Sequence, residues 1–483
     1  MFEREQAPRV LSEEDIETIH RQAIRILQEI GTEVLDDRAR ARLSDAGQRV
    51  EDTRVRWDAA FVEEMVSKAP PSFRIHGRSP ARAVTIGAGA PPVLAPVGGS
   101  PFASDLDDGR REGTIADHDR LVRLAHASDL LTCLQGGTVE PTDLPVRTRH
   151  LDMEYSMIRW SDKPYVAYGT AGWKSQDAID MAAIAHGGLD RIEANPALMI
   201  VVNPNSPLVW DARMVQALLV SAEANQPIVV TPFLLAGGTA PVTMAGALSI
   251  QAAEALSGVA LAQLVRPGVG CLYGSFFTAL DMRTGSPAFG MPEALLAVLA
   301  GRQLADRYRL PYRGGGGFSS ANALDGQAAA ESTASLWATM LAGTDFVLHA
   351  AGWLEGGLVA SYEKLAFDLE VLRQLERIRA GIAAGEDDLA FDAIAEAGPA
   401  GMFLASPHTM ARFKQELYMS PTFLTTDFAT WDAGGRQSIE ARSNAAWKQL
   451  LESYEDPGMD PVIDEELRTF MAKRREEIPE DDE

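Results

Sequence analysis

Eight short apolar runs, spaced by about 30 residues and each followed by a Gly/Pro-rich loop and usually a helical stretch, restrict this chain more than any other feature. They are Val93-Leu94-Ala95-Pro96-Val97, Leu131-Thr132-Cys133-Leu134, Tyr165-Val166-Ala167-Tyr168, Leu198-Met199-Ile200-Val201-Val202, Ile228-Val229-Val230-Thr231, Cys271-Leu272-Tyr273-Gly274, a weaker Leu310-Pro311-Tyr312-Arg313, and Phe346-Val347-Leu348-His349. Helical patterns fall between them at 117–129, 145–161, 174–187, 210–224, 243–264, 292–308 and 327–342. Uninterrupted apolar strands alternating with helices imply a parallel sheet covered on both faces. A doubly wound open sheet gives the same local text. The count of eight, and the lack of a glycine fingerprint after the first run beyond the turn at Gly98-Gly99-Ser100, favour an α/β fold of the (β/α)8 TIM-barrel type.

The flanks read differently. Ser12 before Glu13, Glu14 and Asp15 is an N-cap with an acidic first turn, leading into Ile16, Ile19, Ala23, Ile26, Leu27 and Ile30 at helical spacing. Further helices around 37–45 and 58–68, and a strand pair at Phe73-Arg74-Ile75 and Ala83-Val84-Thr85-Ile86, complete an N-terminal helical cap over 1–90. The catalytic barrel then spans 91–360, and a C-terminal helical extension over 361–483 completes a single large domain. The closing IPEDDE reads as a solvated acidic tail, because its like charges repel.

A formal charge of -24 works against nucleic acid and anionic lipid as partners, and no Lys/Arg block offers a local exception. Cys133 and Cys271 stand far apart without CxxC spacing, so neither a disulfide framework nor a cysteine-built metal site is expected. No His-Glu-x-x-His or other strong zinc spacing occurs, and no metal is expected. The start MFEREQAPRV lacks a signal-peptide pattern, and no uninterrupted apolar run of membrane-spanning length stands out. A cytoplasmic, self-associating protein is the expectation.

In a barrel the chemistry sits in the loops after the strands. Those loops are rich in glycine and aromatic residues: Phe102, Tyr168 with Trp173, Phe233, Tyr273 with Phe276 and Phe277, Phe318, and Trp353. Aromatic faces hold a quaternary ammonium by cation–π attraction worth roughly 2 kcal/mol when desolvated. Glu331, Glu355 or Asp281 can add attraction to such a cation, while Arg313 can neutralise a carboxylate, so the set suits a zwitterion. The same aromatics also suit plain packing. Gly314, Gly315, Gly316 and Gly317 can admit a flat ligand, form an anion nest or simply turn the chain. Asp325 can cap a helix on which Gln327 and Glu331, four apart, share a face. His349 ends the eighth strand, where a ligand-facing donor or acceptor is useful and a structural hydrogen bond is the second reading. No serine lies in GxSxG, and Cys271 sits within a strand, so nucleophilic hydrolysis has no motif.

The stretch from Leu310 through Arg313-Gly314-Gly315-Gly316-Gly317-Phe318 to Asp325-Gly326-Gln327-Ala328-Ala329-Ala330-Glu331-Ser332 resembles the trimethylamine methyltransferase family. Leu348-His349-Ala350-Ala351-Gly352-Trp353-Leu354-Glu355-Gly356-Gly357-Leu358 and Ser361-Tyr362-Glu363-Lys364 extend the resemblance over nearly the whole chain. It implies a barrel enzyme that moves a methyl group from a methylated amine to the cobalt of a corrinoid (cobalamin) held by a separate carrier protein. Archaeal members carry pyrrolysine in the loop corresponding to 318–326. Here that loop holds ordinary residues, which resembles the non-pyrrolysine branch acting on glycine betaine and related quaternary amines.

On that resemblance Co(I) attacks the methyl carbon in line and a neutral tertiary amine leaves, so no covalent activation of the amine is required. The roles it implies are Arg313 for a substrate carboxylate, Tyr168, Tyr273 and Phe277, with Trp353 and Glu355 beside them, for the trimethylammonium, and Gln327, Glu331 and His349 for polar orientation at the reacting centre. Gly314–Gly317 would leave room for the corrinoid. Another barrel lyase or hydrolase of a small polar metabolite, and a nonenzymatic quaternary-amine binding protein, are the alternatives.

Overall fold

The computed structural model describes residues 8–478. Its centre is one parallel sheet of eight strands: β1 (Val93–Leu94), β2 (Leu134–Gln135), β3 (Tyr165–Val166), β4 (Leu198–Val202), β5 (Ile228–Val230), β6 (Cys271–Gly274), β7 (Tyr312–Arg313) and β8 (Phe346–Val347). These are the eight apolar runs. The order is β1-β8-β7-β6-β5-β4-β3-β2, so sequence neighbours are spatial neighbours apart from the pairing of β1 with β8. The sheet curls strongly, and a backbone bond of 3.1 Å from Cys133 N–H to the Leu94 carbonyl runs between the strands at the two ends of this order.

Strand alternation sorts the apolar side chains into two layers. Val93, Ala95, Cys133, Val166, Met199, Val229, Leu272, Phe346 and Leu348 meet in one buried cluster on the concave face. Leu134, Leu198, Ile200, Val230, Tyr273 and Tyr312 face the other way, into the helix layer. The crossover helices are α1 (Ile115–Ala127), α2 (Arg149–Trp160), α3 (Gly172–His186), α4 (Ala212–Glu223), α5 (Met244–Val265), α6 (Pro292–Tyr308) and α7 (Gly326–Leu341), with α8 (Tyr362–Arg379) after β8. Each begins and ends within a few residues of its sequence pattern. The hairpin of Ser72–Ile75 with Val84–Gly87 adds Ile75 and Ile86 to the concave cluster. It sits where strands begin, with His76 N–H on the Pro196 carbonyl just before β4. The opposite end, where strands finish, is left for the loops.

The N-terminal helix Glu13–Arg25 has the reciprocal Ser12/Asp15 capping box and buries Ile16, Ile19 and Ala23, packing on α5. Helix α5 qualifies the expectation that no apolar run reaches membrane-spanning length. It is long and apolar enough by length and composition, but 83% of its apolar window is buried inside the protein, where it is the central packing helix. The tail expectation is also corrected at its first residue: Ile478 is buried and its carbonyl accepts a 2.8 Å bond from Arg147. Pro479 to Glu483 lie outside the described residues.

Candidate active site

Directly above the concave apolar cluster, the inward positions turn polar. Gln135 ends β2, Thr231 follows β5, and Arg313 ends β7. Gln135 Oε1, Thr231 Oγ1 and Arg313 Nε are buried and have no hydrogen-bond partner. The register pairs Gly274 with Arg313 and Val230 with Tyr273, so Thr231 and Arg313 flank Gly274. Only glycine fits there, because a Cβ would lie 2.2 Å from Thr231 Oγ1. Orphaned buried polar atoms are uncommon in native folds and point to a ligand.

Arg313 is the strongest of these. It is 1% exposed, donates from Nη1 to the Ser275 carbonyl at 2.9 Å, and places Cζ 5.0 Å from the Phe276 ring centroid. Among the described residues no carboxylate lies within ion-pair distance. Burial pushes its pKa down to about 10, which still leaves a cation at neutral pH. A buried charge without a partner is costly, and an incoming anion relieves that cost.

Beyond the strand ends, Phe233–Ala236 and Phe276–Ala279 form a two-stranded parallel extension. Alternation sends neighbouring phenylalanines to opposite sides. Phe276 joins a ring cluster with Phe233 (4.6 Å between centroids), Phe289 (5.6 Å), Phe318 (5.4 Å), His349 (5.8 Å) and Trp353 (5.9 Å). Phe277 instead packs among Leu234, Ala247 and Ala297. The clustered rings stand in mutual contact, with Trp353 edge-on to Phe276, Phe289 and Phe318.

His349 adopts a φ of 65°, a strained conformation for a residue with a side chain. Its Nδ1 lies 3.1 Å from the Gly98 N–H and accepts that bond, which leaves the proton on Nε2. Burial, reinforced by the Arg313 charge, holds its pKa well below the usual histidine value, so the ring is neutral. It lies 4.6 Å from the Trp353 ring, whose buried Nε1 has no partner.

Of the residues expected from sequence, Arg313, His349 and Trp353 therefore come together. The others are held by partners of their own. Tyr273 is fully buried on the helix side of β6, receiving a 3.3 Å bond from Gln251 and facing Tyr308 and Tyr312. Tyr168 donates to Glu140 Oε2 at 3.0 Å, near β2 and β3. Glu355 is paired with Arg110 at 3.0 Å. Gln327 is exposed and donates at 2.8 Å to Glu331 Oε1. The other Glu331 oxygen accepts from Ser319 Oγ and Ser320 N–H, both at 2.8 Å, which pins the loop carrying Phe318. Its place is behind the rings.

The glycine run is filled rather than open. A Cβ would meet Tyr312 at Gly314, Thr339 at Gly315, the His349 carbonyl at Gly316 and the Ala350 carbonyl and Asp368 at Gly317. On the side where a side chain would stand, these glycines serve close internal packing. Behind them Lys364 and Asp368, both fully buried, pair at 2.6 Å. Among the described residues no group of three or more His, Cys, Asp or Glu side chains is placed to hold a metal ion.

Gln135, Thr231 and Phe289 were not singled out from sequence. Gln135 and Thr231 carried a usable signal, since each is a polar residue two positions after an inward apolar one. Phe289 lies in an irregular stretch with no periodicity.

The fold and this rim define an α/β enzyme whose pocket end joins aromatic rings to an unpaired buried cation. The family model described as trimethylamine methyltransferase (MTTB) matches residues 2–479. The glycine betaine methyltransferase of Desulfitobacterium hafniense (strain Y51) is 40% identical over 87% of this chain and 88% of that protein. The proline betaine:corrinoid methyltransferase of Eubacterium limosum is 30% identical over 76% and 77%. Among solved structures, the monomethylamine methyltransferase of Methanosarcina barkeri superposes with a TM-score of 0.53 at 11% identity, covering 94% of this chain and 89% of that one, a likeness of fold. The chain belongs to the trimethylamine methyltransferase family. It is a methyltransferase, and the lyase, hydrolase and pure binding readings fall away.

Proposed function

We propose that this enzyme takes a methyl group from a carboxylated quaternary amine of the betaine class and delivers it to the corrinoid of a separate carrier protein. The single observation that carries the substrate class is Arg313, a buried guanidinium with no carboxylate of its own and an aromatic ring 5.0 Å away. A betaine brings the missing anion at one end and a cation for the rings at the other. The relatives named for glycine betaine and proline betaine support the same class.

The chemistry asks little proton transfer of this chain. A quaternary nitrogen already makes its methyl carbons electrophilic and departs as a neutral tertiary amine. The acceptor arrives as a second substrate on its carrier and supplies the nucleophile. Arg313, with the Thr231 hydroxyl across Gly274 as its polar neighbour, anchors the carboxylate, and Phe276, Phe318, Phe289 and Trp353 surround the ammonium and exclude water. The neutral His349 offers its Nε2–H at the rim. Positioning of this kind is the main source of rate for an in-line displacement.

The curled sheet is further proposed to close as a (β/α)8 barrel, supported by the bond from Cys133 to Leu94 and by the cluster drawn from both ends of the strand order. The cap over 1–90, barrel over 91–360 and extension over 361–483 form one unit in this proposal. Both cysteines are free and buried, which suits a cytoplasmic location.

Calorimetric titration tests the substrate class. Glycine betaine is expected to bind about 30-fold or more tighter than tetramethylammonium, which lacks the carboxylate, because losing one partner of a buried ionic contact costs roughly 2–5 kcal/mol, and about 30-fold tighter than 3,3-dimethylbutyrate, its uncharged-carbon isostere, which forfeits the roughly 2 kcal/mol of the cation–π contact. Equal affinity for tetramethylammonium would remove Arg313 from the site.

A further inference from the structure

Half of the large apolar side chains that are exposed among the described residues fall between Ile382 and Phe428. Ile382 is 95% exposed, Met402 80%, Leu404 77% and Phe391 76%. The four short helices here, Glu386–Leu389, Phe391–Ala397, Pro407–Glu416 and Phe428–Ala433, bury no residue at all. Helices this short are marginal alone in water, and an apolar cover would stabilise them. At roughly 150 Å² per large apolar side chain, the exposed patch is on the order of 1,000 Å², above the ~300–600 Å² typical of a monomer and above the ~800 Å² that one partner contributes to a stable interface.

The root of this segment is fixed. Helix α8 runs beside α1 from the rim, where Tyr362 bonds Asp117, to the opposite end, where Arg373 pairs with Asp129 just past α1. One turn further, Arg377 holds both ends of the excursion, binding the carbonyls of Gly381 and Glu416. The chain then returns along α8 through Tyr418 on Glu370 and Phe423 on Phe367.

We infer that the lobe rooted at Arg377 is a self-association surface, covered by a second copy of this chain. Its root lies at the end away from the strand-end rim, where a methyl acceptor has to arrive. A carrier that comes and goes would also leave this apolar area bare between visits, whereas another copy covers it permanently, as in obligate interfaces. Acidic residues outnumber basic ones in Glu386–Glu416, which disfavours an anionic membrane as the cover.

Sedimentation equilibrium of the full chain at micromolar concentration is the test. The expected mass is a whole multiple of 52.1 kDa, falling to one chain in Phe391→Asp/Leu404→Asp with rim ligand binding unchanged. Amide exchange supplies a readout that needs no variant: the 386–416 amides are expected to gain protection as concentration rises. A monomeric parent chain, a variant that keeps the parent's mass, or a mass that rises only when a corrinoid carrier is added would each overturn the inference.

Discussion

Replacing Arg313 by methionine is expected to lower kcat/KM for a carboxylated betaine by about 100- to 1,000-fold, the scale of removing one partner from a buried ionic contact. Methionine keeps most of the stem's volume at a position that is 1% exposed, so the surrounding packing is retained. The free protein should lose no stability, because the variant removes a buried cation whose Nε has no partner and whose contact with Ser275 is a single bond. The loss should be confined to substrates with a carboxylate. Steady-state kinetics with glycine betaine and with tetramethylammonium separate the cases: a parallel fall for both would place Arg313 in scaffolding, and unchanged kinetics for both would remove it from the site.

The largest effect on stability is expected at the buried pair Lys364–Asp368. Lys364 Nζ donates to both Asp368 oxygens at 2.6 Å, to Ser332 Oγ at 2.8 Å and to the Gly317 carbonyl at 3.0 Å. Asp368 Oδ2 accepts from Gly352 N–H at 2.9 Å. Two side chains thus join the glycine loop after β7, helix α7, the loop after β8 and helix α8. Burial pushes the lysine pKa down and the aspartate pKa up, so each depends on the other to stay charged. Lys364→Met leaves a buried carboxylate alone and is expected to cost about 3–5 kcal/mol, while Lys364→Met/Asp368→Leu recovers most of it. Gly317 and Gly352 each precede a ring of the cluster, Phe318 and Trp353, so turnover in the double variant should stay low even where stability returns. Denaturant unfolding and kcat/KM measured on the same proteins check both halves; a single variant as stable as the parent would contradict the first.

The strands were legible because burial on both faces writes them as unbroken apolar runs, and the helices that Ser12 and Asp325 cap because those residues mark their starts. Arg313 and His349 were legible as polar residues at strand ends. Which of Phe276 and Phe277 faces the rim was not, since one step of register exchanges them and only the pairing with Phe233 fixes it. Tyr273 misled for the same reason of parity. Gly314–Gly317 have one composition whether the space above them is open or occupied, and Thr339 and Asp368, which fill it, come from helices distant in sequence. The apolar residues of 382–428 fell within the expected C-terminal helical extension, and their exposure was not legible because nothing local distinguishes a covered face from an uncovered one.

The central claim is methyl transfer from a betaine to a carrier-bound corrinoid. The purified chain, a reduced corrinoid carrier and glycine betaine, followed together by cobalt absorption and by release of the tertiary amine, test it most directly. Stoichiometric appearance of dimethylglycine with the spectral change, dependent on this chain, is the expected result. No transfer from any carboxylated quaternary amine, with carriers that accept methyl groups from another methyltransferase, would contradict it.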